Sequence, residues 1–165
     1  IWFSWTTLRA KTLYENFLLY NLKSLDELPL QAYWEYEKGK SIKTNDVLKA
    51  IEIRNKYQDK IQKLFNHYDF LALPSAQIFP FDKNLINPEF IDNNKIDTYH
   101  RYMEVYTLSS LLGLPTISVP VGFNNKGLPM GMQIIANVKE DNKVINFAKS
   151  YEEIFNFSNF KPELM

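Results

Sequence analysis

At 165 residues with 45% apolar side chains, the chain has the size of one ordinary domain and enough apolar sequence for a single core. Its 19 basic and 19 acidic residues cancel without a block of like charge, which argues against an electrostatic grip on nucleic acid or anionic lipid. The absence of cysteine excludes disulfides and thiolate metal sites and fits a reducing, cytoplasmic setting, and no apolar run is long enough for a membrane span.

The opening "IWFSWTTLRAK" has neither an initiator Met nor a signal-peptide layout, and it reads as a cut through a longer protein. From Ser4 to about Leu25 the residues Trp5, Leu8, Leu13, Phe17, Leu18 and Tyr20 recur at mostly helical spacing, and Asn21 to Pro29 ends the run. A variable stretch around "YWEYEKGKS" follows. Then "TNDVLKAIEIRNKYQDKIQKLFNHY" predicts a long amphipathic helix with Thr44 as N-cap and a stripe through Val47, Leu48, Ile51, Tyr57, Ile61, Leu64, Phe65 and Tyr68.

The period changes in the second half. "FLAL", Phe70 to Leu73, is a short apolar run that suits a strand buried on both faces. Residues Ser75 to Ile96 carry prolines and asparagines with no clear period, so a loop of about twenty residues is expected; loops that long are often functional. "DTYHRYMEVYTLSSLLG" restores helical spacing through Tyr99, Met103, Tyr106 and Leu111, with Gly113 placed as a left-handed C-cap and Pro115 blocking further helix. In "TISVPVGF" the residues Thr116, Ser118 and Pro120 share one narrow face, and Ile117, Val119 and Val121 share an apolar one. Pro120, lacking an N–H, belongs at a strand end, bulge or edge. "NNKG" joins this strand to "LPMGMQIIA" as a hairpin, where Gly131 suggests a bulge or a neighbouring backbone at close range. Asp141 can cap a last helix whose stripe is Val144, Ile145, Ala148, Tyr151 and Ile154.

"YDFLALPS", "GLPTISVPVGF", "GLPMGMQII" and the closing helix with "AKSYE" together resemble the C-terminal portion of the amidase signature family of hydrolases. The resemblance runs from about Val47 to Glu153 and is strongest from Gly113 to Ile135. It implies an α/β fold with a mixed, twisted sheet flanked by helices, of which residues 1–165 form a single C-terminal piece: 1–68 mainly helical, 69–165 strand, long loop, helix, hairpin and helix. It also implies a Ser–Ser–Lys triad that hydrolyses or transfers an amide acyl group, with an oxyanion hole of backbone N–H groups in a Gly/Ser-rich loop. Those parts lie earlier in family members.

None of them has a match here. Ser109–Ser110 is followed by Leu–Leu rather than glycines, and Lys40–Ser41 and Lys149–Ser150 stand in other contexts. No catalytic residue is therefore assigned, and no cofactor or metal is implied. The chain alone is expected to be inactive; its partners would be the N-terminal part of the same polypeptide and, in the full enzyme, the amide substrate. A homo-oligomer is allowed. Tyr106 and Ser110, one turn apart, are the expected substrate-binding residues, with the Ser75–Ile96 loop closing over them; Ser110 departs from the Asn of many relatives. His67 and His100 read as packed or solvated histidines, Asp69 as a strand-end charge, and Arg101 and Glu104 as an i,i+3 ion pair. Two alternatives stand beside the hydrolase: a non-catalytic binding module, and part of an amidotransferase subunit of the same family.

Overall fold

A computed structural model describes residues 1–20, 25 and 28–160. The chain divides into two compact units, residues 1–61 and 62–165, described in turn.

The first unit is helical. Helix α1 spans Trp2–Leu19, so it starts earlier and stops sooner than the spacing suggests; residues 21–24, 26 and 27 of the stretch expected to end it lie outside the described residues. Within α1, Trp2 and Trp5 stack with ring centroids 5.4 Å apart. The stretch around "YWEYEKGKS" is not irregular: Leu30–Ser41 forms helix α2, which packs on α1. Gly39 makes that packing close, since a Cβ there would sit 2.2 Å from the Ala10 carbonyl oxygen. Beside it the buried Glu35 accepts the Arg9 Nε–H at 2.8 Å. Helix α3, Thr44–Phe65, begins with the expected Thr44 inside its first turn. The preceding residue takes the capping role: the Lys43 carbonyl accepts from Val47 N–H at 3.2 Å, and the Asp46 carboxylate accepts the Lys43 N–H at 3.2 Å. The Ser4 hydroxyl, fully buried, donates to the Ala50 carbonyl at 2.6 Å and ties α1 to α3.

The second unit holds the sheet. Strand β1 is Leu71–Pro74, and its residues alternate between half-buried and exposed rather than being covered on both faces, because β1 is an edge strand. The long segment after it contains one small hairpin, β2 (Phe90–Ile91) with β3 (Asn94–Lys95). The stretch predicted as one helix is split: Arg101–Tyr106 is a 3₁₀ helix and Thr107–Leu112 the short α4. Gly113 ends it at φ 64°, the left-handed cap its position requires. Strands β4 (Thr116–Phe123) and β5 (Pro129–Ile135) form the predicted hairpin. Its turn is closed by the Asn124 side-chain oxygen, which accepts the N–H groups of Lys126 and Leu128 at 2.9 Å each.

The sheet order is β1-β5-β4, antiparallel throughout. Val119 and Ile134 are buried on one face and Gln133 and Ile135 on the other. The register slips between Pro120 and Gly122, so proline stands at both an edge and a bulge, and Val121 turns outward instead of joining Ile117 and Val119. Helix α5, Asp141–Phe155, packs on β4 with Val144 buried. Two members of its expected stripe, Ile145 and Ile154, are 56% and 74% exposed, while Val144 and Tyr151 lie inward as expected; Phe147, outside that stripe, joins them and meets Phe70 at 5.0 Å. Asp141 lies in the first turn rather than at the cap.

Candidate functional site

The sheet face built from Gly131, Ser118 and the end of β1 is held together by polar side chains. The Ser75 and Ser118 hydroxyls share a hydrogen bond of 2.6 Å directly over Gly131. A Cβ on residue 131 would stand 2.6 Å from the Ser75 oxygen and 2.9 Å from that of Ser118. The close approach foreseen at this glycine is real, but two side-chain hydroxyls make it rather than a backbone. Next along β5, the buried Gln133 sends its amide N–H groups to the Pro74 carbonyl at 2.8 Å and the Val105 carbonyl at 3.2 Å. That one side chain fixes the 3₁₀ helix against the sheet. Sequence reasoning passed over it, although a single Gln inside "PMGMQII" is the signal a buried polar bridge leaves.

The 3₁₀ helix borders an open cleft of about 400 Å³, lined among others by Gln77, Ile91, Ile96, Asp97, Arg101 and Glu104. Arg101 lies between two carboxylates: its Nε–H donates to Asp97 at 2.7 Å, and a second guanidinium nitrogen meets Glu104 at 3.1 Å, the expected i,i+3 pair. The guanidinium holds the Asp97 carboxyl below its ordinary value, and Asp97 in turn raises Arg101. Ion pairing thus fastens the end of the long segment to the 3₁₀ helix. Asp69 pairs with Lys143 at 2.9 Å and raises that ammonium, which agrees with a strand-end charge.

Tyr106 ends the 3₁₀ helix, half-buried, and burial pushes its phenol up, with Tyr102 adding to the shift. Ser110 lies four residues on in α4 and is exposed. Neither lines the cleft at Arg101. His100 is buried and stacks on Tyr99 at 4.5 Å, a packed histidine. The hydroxyls of Ser4, Ser41 and Ser109 donate to backbone carbonyls, and those of Ser75 and Ser118 bond to one another. Among the described residues there is no cluster of His, Cys, Asp and Glu suited to a metal ion, and no helix long and apolar enough to cross a membrane.

The model of the amidase family matches residues 28–145. A glutamyl-tRNA(Gln) amidotransferase subunit of Prochlorococcus marinus is 33% identical over 117 residues, which cover 70% of this chain and 23% of that protein. The chain thus spans about a quarter of the length of the curated relatives it matches. In structure, a bacterial aryl acylamidase of the amidase signature family superposes with a TM-score of 0.81 at 20% identity, over 94% of this chain and 34% of the other. The corresponding glutamyl-tRNA(Gln) amidotransferase subunit of Thermotoga maritima superposes at 0.52 with 26% identity, over 88% and 26%.

Proposed function

This chain belongs to the amidase family, and on that premise we propose that it is the carboxy-terminal part of an amide-bond hydrolase, completing the sheet and one wall of the substrate pocket of a Ser–Ser–Lys enzyme. The observation that carries the reading is one of extent: nearly the whole chain superposes on a third of an amidase signature enzyme. In this reading the nucleophilic serine, its relay and the lysine that takes the proton come from the remaining two thirds. This chain's residues do positional work. Gln133 and the Asp97–Arg101–Glu104 group hold the 3₁₀ helix, and that helix presents Tyr106, with Ser110 one turn on, toward the substrate.

The test is an anilide hydrolysis assay on the pure chain and on the protein translated from its whole reading frame. The chain alone is expected to show no turnover above buffer, the whole protein clear turnover. Loss of a measurable chain activity on replacing one serine with alanine would overturn the reading. In the whole protein, Tyr106→Ala and Ser110→Asn are expected to change KM or substrate preference by roughly tenfold, the size of one pocket contact. A Tyr106→Ala protein with a sharply lower Tm and unchanged kinetics would make that tyrosine ordinary core.

The curated relatives favour a second reading, part of an amidotransferase subunit. Transfer of amide nitrogen to an acceptor, with little hydrolysis of the anilide, would select it.

A further inference from the structure

The segment that follows β1 turns back on itself, and both its ends meet the start of the 3₁₀ helix. At the near end Gln77, with its amide nitrogen turned toward that helix, donates to the carbonyls of Arg101 at 2.7 Å and Tyr102 at 3.1 Å. Phe81 then meets the Tyr102 ring edge-on at 5.6 Å. At the far end Arg101 grips both carboxylate oxygens of Asp97, its Nε–H on Oδ1 at 2.7 Å and an Nη2–H on Oδ2, while its remaining nitrogen meets Glu104. Between Phe81 and Asp97 the hydrogen bonds turn inward. Among the described residues, Asn84 and Leu85 bond to Asp82, Asn87 to Pro88, Ile96 to Glu89, and β2 to β3. Pro88 is the one buried residue from 82 to 96. Open space lies on both flanks of residues 95–97: the cleft of about 400 Å³ at Arg101 and a second of about 360 Å³, lined by Asn87, Glu89, Thr98 and Tyr99, share those three residues. A loop bonded within itself and pinned at its ends opens as a unit, as often as its pins allow.

We propose that residues 82–96 form a flap against the 3₁₀ helix, and that the Asp97–Arg101 pair is its latch. As a gate to the substrate the flap rests on the reading of this chain as part of an amide hydrolase, since the helix that latches it is the one that carries Tyr106. The two pins differ in kind. Gln77 holds backbone carbonyls, so the near end stays in place whatever the side chains of the helix do. The far end hangs on a side-chain pair in which Asp97 is more than half exposed. Water and salt reach that pair, and an exposed ion pair usually shifts an equilibrium by a factor of about five at most. Such a latch is weak enough to open often and strong enough for its loss to be measured.

A lysine-specific protease tests it, because Lys83 and Lys95 lie exposed in the flap and cutting of a locally opened loop follows the population of its open form. The protein translated from the whole reading frame is compared with its Asp97→Asn and Arg101→Gln variants, fragment masses assigning each cut, with anilide hydrolysis assayed on the same samples. Both variants are expected to be cut after 83 and 95 about fivefold faster than the parent. The double variant should be cut no faster than Arg101→Gln, and raised salt should shrink the difference from the parent. In hydrolysis, KM should rise more than kcat falls. Unchanged cutting in both variants overturns the proposal, as does cutting that rises equally at lysines outside 82–96, the mark of global loosening. Faster cutting with KM and kcat both unchanged overturns it too, since such a loop covers no substrate. Faster flap cutting in a protein that hydrolyses no amide removes the hydrolase reading and keeps the latch, whereas hydrolysis with unchanged cutting keeps that reading and removes the latch.

Discussion

A side chain at position 131 must displace two serine hydroxyls that bond to each other. The nearest atoms to an added Cβ are the two hydroxyl oxygens and, at 3.1 Å, the Ser75 Cβ, so Gly131→Ala is expected to destabilise by about 1–3 kcal/mol through overpacking. Because the tightest contact is to the Ser75 oxygen, Ser75→Ala in the same chain should recover part of that loss; denaturant midpoints of the two single variants and the double variant measure it. No recovery would mean that the strain is in the backbone. The glycine's need for room was legible in the sequence, since a Gly amid strand residues marks close approach. Which atoms approach was not, because Ser75 and Ser118 are 43 residues apart and a period of two carries no information across that distance. Gln133 is the opposite case: an isolated polar residue in an apolar strand was visible, yet its acceptors, Pro74 and Val105, belong to other elements.

At the scale of elements, the hairpin, the β1 strand and helices α3 and α5 could be read from periodicity, and α2 could not. Its residues "LQAYWEYEKGKS" mix aromatic and charged side chains without a clean apolar stripe; the helix is held by what it meets, Gly39 on Ala10 and Glu35 on Arg9. Tertiary packing there overrides a weak local pattern. Gly39→Ala thus sets the ordinary gain in helix propensity against a backbone oxygen 2.2 Å from the new Cβ. The clash wins: a loss of about 1–3 kcal/mol is expected where an exposed site would gain, and thermal unfolding followed by circular dichroism at 222 nm reads the sign. A rise in Tm would show that α1 and α2 separate easily. The split of the Tyr99–Leu112 segment was hidden for a different reason. Six residues at spacing three or four look alike in sequence, and the Arg101–Glu104 pair fits a 3₁₀ turn, where side chains at i and i+3 eclipse, as well as it fits an α turn.

For the whole molecule, the apolar residues left on the surface matter more than any single contact. Ile154 and Leu19 are 74% and 81% exposed, and among the described residues the two outer strands of the three-stranded sheet each pair with a strand on one side only. Proteins that keep such surface in water associate through it, so the purified chain is expected to form dimers or larger species as its concentration rises, seen as a growing weight-average mass in light scattering. A constant monomer mass over a hundredfold range would mark a self-sufficient domain. The family and the α/β class were legible at this scale from a handful of motifs, whereas the division into two units at residue 61, inside α3, was not, because the helical period runs through the boundary without a break. The stacked pair in α1 adds something of practical use. Trp2, Trp5 and Trp34 are all the tryptophans the chain has, and every one lies in the first unit. Emission excited at 295 nm therefore comes from the helical unit alone and is blind to the sheet, so comparing its unfolding curve with amide hydrogen exchange at β4 and β5 distinguishes one cooperative transition from two.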